Sequence, residues 1–413
     1  MARWLGGVAL GVGLMAYAFG TQDAWQRAQR ARSGLDFASY YYAVQVAAEG
    51  GDPYNKRVLA DAAQADGTRR AVHPYLYPPP FLLLVGWTRP MPLHSAYLAW
   101  FAVGVATTLG SLGVLLGAWR REGVGVPLAV GVLAGGMTAL PNNLVMGQAN
   151  TPVLLAVLAG LWAASAGRDR LGGALVGLGC VLKMSPALFV AWWLLRGRWR
   201  AAAWAVGSAV VLSGVALVAL PVSVSRTFWL EVLPGFGSGR YNALTVGIDL
   251  FGNHSLPNLW DAVWPHADGR HLALSAPARV ASVVSAVGLV AGVGWLLRRD
   301  GDGLARAGQV GAVGVVMLLV PVITYEHHLV WAIPAAVASF AALLRGRLAR
   351  GWAWALVPAT LLLMWDLQAL KSASRDAMEV AVWLGVALRE AKFGALVLLL
   401  ASSVAVGRSK EPS

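Results

Sequence analysis

The amino-acid sequence predicts an all-α protein that crosses a membrane many times. Apolar runs recur from one end of the chain to the other, and a helix needs about 20 predominantly apolar residues to span a bilayer. Of the 413 residues 57% are hydrophobic and only 13% charged, whereas a soluble domain carries about 25% charged residues. The basic residues gather in short turns between apolar runs, as they do in cytoplasmic loops. The net charge of +13 therefore reads as topology, compatible with anionic lipid headgroups and not with a nucleic-acid partner. Cys180 is the one cysteine, which excludes an internal disulfide and a cysteine metal cluster.

In chain order, Arg3 and the apolar run before Ala16-Tyr17-Ala18 fit two descriptions, a signal peptide and a first span ending near Gly20. The span is favoured, since a many-helix protein needs no cleaved signal. Further spans are expected at residues 94–119, 127–140, 151–166, 201–220, 277–297, 305–323, 329–344, 352–365 and 392–406. Residues 171–195 lie between basic turns, so a bent pair of helices is expected around Lys183-Met184-Ser185-Pro186, where proline breaks the helix. That makes about twelve crossings, with both ends cytoplasmic. The turns that set this orientation hold Arg120-Arg121, Arg168 and Arg170, Arg196 to Arg200, Arg298-Arg299, Arg345 to Arg350, and Arg408 with Lys410. Residues 22–80, 141–150, 221–276, 325–328 and 366–376 then fall on the extracytoplasmic face. The run at 78–87 is too short to span and reads as an interfacial helix. A single domain is expected over 1–413, with interfacial helices in a first large loop at 21–93 and a second large loop at 221–276.

The residues suited to chemistry collect on that face. Between the first two apolar runs stand Gly34-Leu35-Asp36-Phe37, Tyr40-Tyr41-Tyr42, His73 and Tyr75-Leu76-Tyr77-Pro78-Pro79-Pro80. A carboxylate at the lipid boundary is placed to take a proton from a hydroxyl carried on a lipid, which makes Asp36 a candidate base. Ser33 and Asp36 also fit a capping box, under which Asp36 only starts a helix. Gln148 and Asn150 precede Thr151-Pro152, so Asn150 or Thr151 reads equally as a helix cap or a polar contact with substrate. Lys183 lies away from the basic turns, where a lysine must face protein, water or an anion. The loop at 221–276 offers Arg240-Tyr241-Asn242 and Asn253-His254-Ser255, the latter also a glycosylation sequon that occurs often by chance. Finally, Tyr325-Glu326-His327-His328 precedes Trp331 and Pro334. Adjacent histidines on a helix point about 100° apart and make poor partners for one metal.

Gly-Leu-Asp-Phe followed by tyrosines, then Tyr-x-Tyr-Pro-Pro and a His-His-x-x-Trp segment, resembles glycosyltransferase family 87, membrane mannosyltransferases of the GT-C superfamily. The resemblance covers about residues 30–340, with short motifs, and it implies a GT-C-like helical bundle. It implies that Asp36 is the catalytic base, since the family's loop aspartate holds that role. It also implies a donor-phosphate site at His327 and His328 aided by Lys183 and Arg240, and substrate contacts at Tyr40, Tyr77, Gln148, Asn150 and Asn253. His254 departs from the family's usual Asn-Gln-Ser-Leu.

The expectation is an inverting transferase at the outer face of the inner membrane. It would move a sugar, mannose first, from polyprenyl phosphate to a lipid-linked glycan without metal or cofactor. One rival is a transporter or lipid flippase, which would place charges along a midplane pathway. Another keeps the enzyme and takes an arabinofuranosyl or other pentosyl donor.

Overall fold

The computed structural model describes residues 2–31, 34–68, 71–240, 242, 244–299, 301 and 303–409. Ser33, Tyr241 and Lys410, named above for a cap, a loop triplet and a basic turn, lie outside the described residues. Every regular element among the described residues is helical. Six helices are long and apolar enough to cross a membrane, or eight if each of two bent pairs counts as one span. Asn150–Ser165 and Gly303–Leu319, with 16 and 17 residues, fall short of the roughly 20 a straight crossing needs. Length and apolarity alone therefore do not reach twelve.

The chain divides into two compact units. One comprises residues 21–111 and 143–247. Its helices Asn150–Ser165, Asp169–Leu182 and Trp199–Ala219 pack in sequence along glycine faces. A Cβ on Gly172 would lie 2.6 Å from the Gly160 carbonyl oxygen, so small residues let these backbones approach. The expected break around Lys183 to Pro186 is present, between Asp169–Leu182 and Ala187–Leu195. The short apolar run becomes Pro79–Val85, followed by a 3-10 turn Gly86–Thr88.

The other unit comprises residues 1–20, 112–142 and 248–413. At its centre Gly303–Leu319 is buried on nearly every face, as an apolar helix enclosed by others must be. It meets Ala391–Arg408 and Ile333–Leu344, and the contact includes Gln309 Nε2 donating to the Gly407 carbonyl at 3.1 Å.

Two expectations need correction. The first helix runs from Ala2 to Ala31, not to Gly20. Its polar end is rich in helix-forming residues and carries an Asp23–Arg27 pair at 2.9 Å across one turn. The span expected at 127–140 is two helices, Gly125–Gly136 and Ala139–Met146, bent by 51°. Residues 366–376, expected only to fall on the extracytoplasmic face, are helical from 367 on, within Leu367–Val380, which Val382–Arg389 follows. Asp366 caps the first of these by accepting from the Gln368 and Ala369 N–H groups, both at 3.0 Å.

Candidate active site

Gly34 is the N-cap of Leu35–Ala48, so Asp36 sits in the first turn of that helix and its carboxylate is turned toward His73. A Cβ on Gly34 would lie 2.7 Å from the Met146 carbonyl oxygen, so glycine lets the helix start against the turn that carries Gln148. That turn is fixed by Gly147, whose φ is +69°, and by Trp100 Nε1 donating to the Gly147 carbonyl at 2.9 Å. Tyr40, one turn beyond Asp36, donates to Tyr77 at 2.6 Å, and Tyr77 donates to Gln148 Oε1 at 2.9 Å. Burial pushes the Tyr40 hydroxyl well above its ordinary range, and the neighbouring Tyr77 and Asp36 push it further. Burial raises Tyr77 as well. Both remain neutral donors at physiological pH.

Asp36 Oδ1 lies 3.2 Å from His73 Nδ1, with side-chain exposures of 15% and 30%. Both side chains are therefore partly open to solvent. Asp36 also interacts electrostatically with Tyr40, Tyr77 and Lys183. Lys183 ends its helix in an extended conformation, and its Nζ donates to Asn150 Oδ1 at 2.6 Å. Asn150 is completely buried and passes the link on, its Nδ2 donating to Asn143 Oδ1 at 3.1 Å. The cap expected at Asn150 or Thr151 is not formed: Ala149 is the N-cap, and Asn150 is the first helical residue. Its amide faces Lys183 and Asn143 because a buried amide and a buried ammonium each need partners. Arg240 lines a polar cavity in the same unit with Asp52 and Glu231.

The second group lies within the other unit. Glu326–Ala332 is a 3-10 helix that continues into Ile333–Leu344, with Pro334 in its first turn. Successive residues of a 3-10 helix are about 120° apart rather than 100°. The His327 and His328 rings still meet, with centroids 4.4 Å apart. His327 is buried and His328 half-buried. His328 Nδ1 accepts the Tyr325 backbone N–H at 2.9 Å, so the neutral ring carries its proton on Nε2 and can donate there.

Behind them is a buried charge network. Lys392 Nζ lies 2.5 Å from Glu326 Oε1 and donates to the Trp365 carbonyl at 2.7 Å. Thr138 donates to the same Glu326 oxygen at 2.9 Å, and His254 Nε2 stands 3.5 Å from Oε2. Burial pulls the His254 imidazole down, against the Glu326 carboxylate, which pulls it up. Asn253 holds this loop in place. Its Nδ2 donates to the Ile248 and Val322 carbonyls at 2.8 and 3.0 Å, and its Oδ1 accepts the Thr324 N–H at 2.9 Å. Among the described residues no three His, Cys, Asp or Glu side chains converge as a metal-ligand set.

The structure thus gathers Asp36, Tyr40, Tyr77, Gln148, Asn150 and Lys183 in one unit, and Asn253, His327 and His328 in the other. Sequence reasoning gave no role to His73, Asn143, Glu326 or Lys392.

Spanning helices with ionisable groups clustered at helix ends and breaks define an integral membrane protein with an enzyme-like polar site. Residues 75–321 match the family model described as Glycosyltransferase family 87; the chain belongs to that family and is a membrane glycosyltransferase. The matched stretch includes Tyr77, Gln148, Asn150, Lys183, Arg240 and Asn253, while Asp36, His73 and the two adjacent histidines flank it. The chain is also similar to a polyprenol-phosphate-mannose-dependent alpha-(1-2)-phosphatidylinositol pentamannoside mannosyltransferase of Mycobacterium tuberculosis (strain CDC 1551 / Oshkosh). Identity is 26% over 324 residues, covering 78% of this chain and 70% of the relative. No solved structure matches it.

Proposed function

We propose that the protein transfers mannose from a polyprenyl-phosphate donor to a hydroxyl of a lipid-linked glycan, with inversion, at the outer face of the cytoplasmic membrane. The observation that carries this reading is the convergence on Asp36. Its side chain is 15% exposed, paired with His73, and within electrostatic reach of Lys183 and the Tyr40–Tyr77 pair. Asp36 accepts the proton of the acceptor hydroxyl as its oxygen forms a bond to the anomeric carbon. The bond from that carbon to the phosphate oxygen breaks, and polyprenyl phosphate leaves with the electron pair. Lys183 offers a cation to the developing phosphate charge, and Gln148 with the tyrosines orients hydroxyls. Within the other unit, His328 is the histidine suited to donate to a phosphate, because its Nδ1 accepts from Tyr325 and the neutral ring carries its proton on Nε2. Asn253 serves this reading by holding the 248–255 loop, since its amide is engaged with three backbone groups.

Mannose as the sugar follows from the relative's stated donor, and the orientation from the basic turns. Purified protein incubated with polyprenyl-phosphate mannose, glucose, galactose and arabinofuranose tests the donor. Mannose is expected to be transferred fastest, with His328→Ala losing about 100-fold or more in kcat/KM, as for loss of one oxyanion donor. Preference for arabinofuranose would move the enzyme to the pentosyl alternative.

A further inference from the structure

Directly after the apolar span Trp199–Ala219 the chain forms a helical segment from Val222 to Phe236, interrupted by a π-helical turn at Phe228–Val232. Such turns are rare and recur at functional sites. The segment has three faces. Val224, Phe228 and Val232 are buried; Val222, Trp229 and Leu230 are exposed; Thr227, Glu231 and Pro234 line a cavity of about 570 Å³. A volume of roughly 300–1,000 Å³ is usual for small-molecule sites. Exposed valine, leucine and tryptophan immediately beyond a spanning helix put the segment in the interfacial layer of the bilayer.

Asp52, Tyr54 and Asn55 also line the cavity, as do Ser238, Arg240 and Asn242. This lining is built to hold its shape. Asn242 adopts a φ of +46°, uncommon for a residue with a Cβ. Its Nδ2 donates to the Tyr54 and Tyr75 carbonyls at 2.8 and 3.0 Å. Those bonds fasten Asn242 to the same polar stretch that carries Tyr77. Two carboxylates and one guanidinium leave the lining with one excess negative charge, which disfavours a phosphate. The same groups suit a polyol: carboxylates accept from neighbouring hydroxyls, and a guanidinium and amides donate to their oxygens.

We propose that this cavity binds the saccharide headgroup of the lipid-linked acceptor, with Glu231 and Arg240 as its specificity-determining contacts, while the acceptor's lipid lies along the exposed face of the Val222–Phe236 segment. This deepens the function proposed above and rests on it for the nature of the acceptor. It also moves Arg240 from the donor phosphate, where the resemblance had placed it, to the acceptor sugar.

The experiment uses full-length protein in nanodiscs, with α-1,2-mannobiose and inorganic phosphate as soluble probes followed by saturation-transfer NMR. Mannobiose is expected to give transfer signals with wild type and with Asp36→Asn, and to lose them with Glu231→Gln and Arg240→Ala. Phosphate should not compete. In turnover assays the two cavity variants should raise the acceptor KM about 10-fold or more, with kcat and the donor KM within about 2-fold of wild type. Unchanged thermal melting of both variants, whose side chains are exposed, shows that folding is intact. Mannobiose signals that survive both substitutions, competition by phosphate, or a rise in the donor KM instead would each overturn the assignment. The NMR arm needs no turnover, so a wrong catalytic base would leave it standing, and a wrong cavity would leave the base standing.

Discussion

At the residue scale, the deepest electrostatic commitment is Lys392 with Glu326. Both side chains are almost fully enclosed, at 0% and 3% exposure, and each answers a charge that would otherwise be stranded. Removing one partner of such a pair costs about 3–5 kcal/mol, because the survivor stays buried and uncompensated. Lys392→Met is expected to destabilise the protein by that amount in thermal unfolding. Adding Glu326→Gln should recover at least about 1 kcal/mol of the loss, the coupling expected of residues in direct contact. Purely additive losses would show that the pair is not an energetic unit. The sequence did not disclose this network, because its members are 66 residues apart and each alone looks like an ordinary helix end. Asp36, Tyr77, Gln148 and Lys183 were legible for the opposite reason, as polar residues in a chain where nearly everything beside them is apolar or basic. His73 stood in the same polar stretch, but its pairing with Asp36 is a product of the fold.

At the scale of elements, apolar helices such as Trp199–Ala219 and Ala276–Leu296 could be placed to within a few residues, because a run of hydrophobic residues admits few alternatives near a bilayer. Leu367–Val380 escaped notice because its sequence alternates charged and apolar residues on two faces, a pattern shared with solvated loops. The segment after Leu256–Val263 offers a pH test of element stability. His271 Nδ1 lies 2.6 Å from Asp261 Oδ2, and that hydrogen bond raises the His271 pKa above its ordinary value, against a smaller lowering by burial. A raised folded-state pKa contributes stability that is complete below the unfolded value, about 6.5, and is lost as pH rises through the folded value. Thermal stability should therefore fall as pH rises above about 6.5, and this component of the fall should vanish in Asp261→Asn. An identical pH dependence in wild type and variant would show that the contact contributes nothing.

For the whole molecule, the orientation proposed from the basic turns puts the 221–276 stretch and the Leu367–Val380 helix outside. With Cys180 replaced, single cysteines at Ser238 and Ser372 should react with an impermeant thiol reagent on intact cells, and those at Ser165 and Ser409 should not. The reverse pattern would place the proposed site on the cytoplasmic side. Family membership makes the protein a glycosyltransferase whichever face it uses, so the claim that matters most is which group starts the chemistry. Asp36→Asn keeps the size of the side chain and its place in the first turn of Leu35–Ala48, and Asn serves a helix start as well as Asp does. Turnover and thermal unfolding of wild type and Asp36→Asn, measured on the same purified samples, test that claim directly. A general base at Asp36 predicts an unchanged melting temperature, retained donor binding and sugar transfer slowed by about 100-fold or more. Transfer near the wild-type rate by a folded Asp36→Asn protein would contradict it.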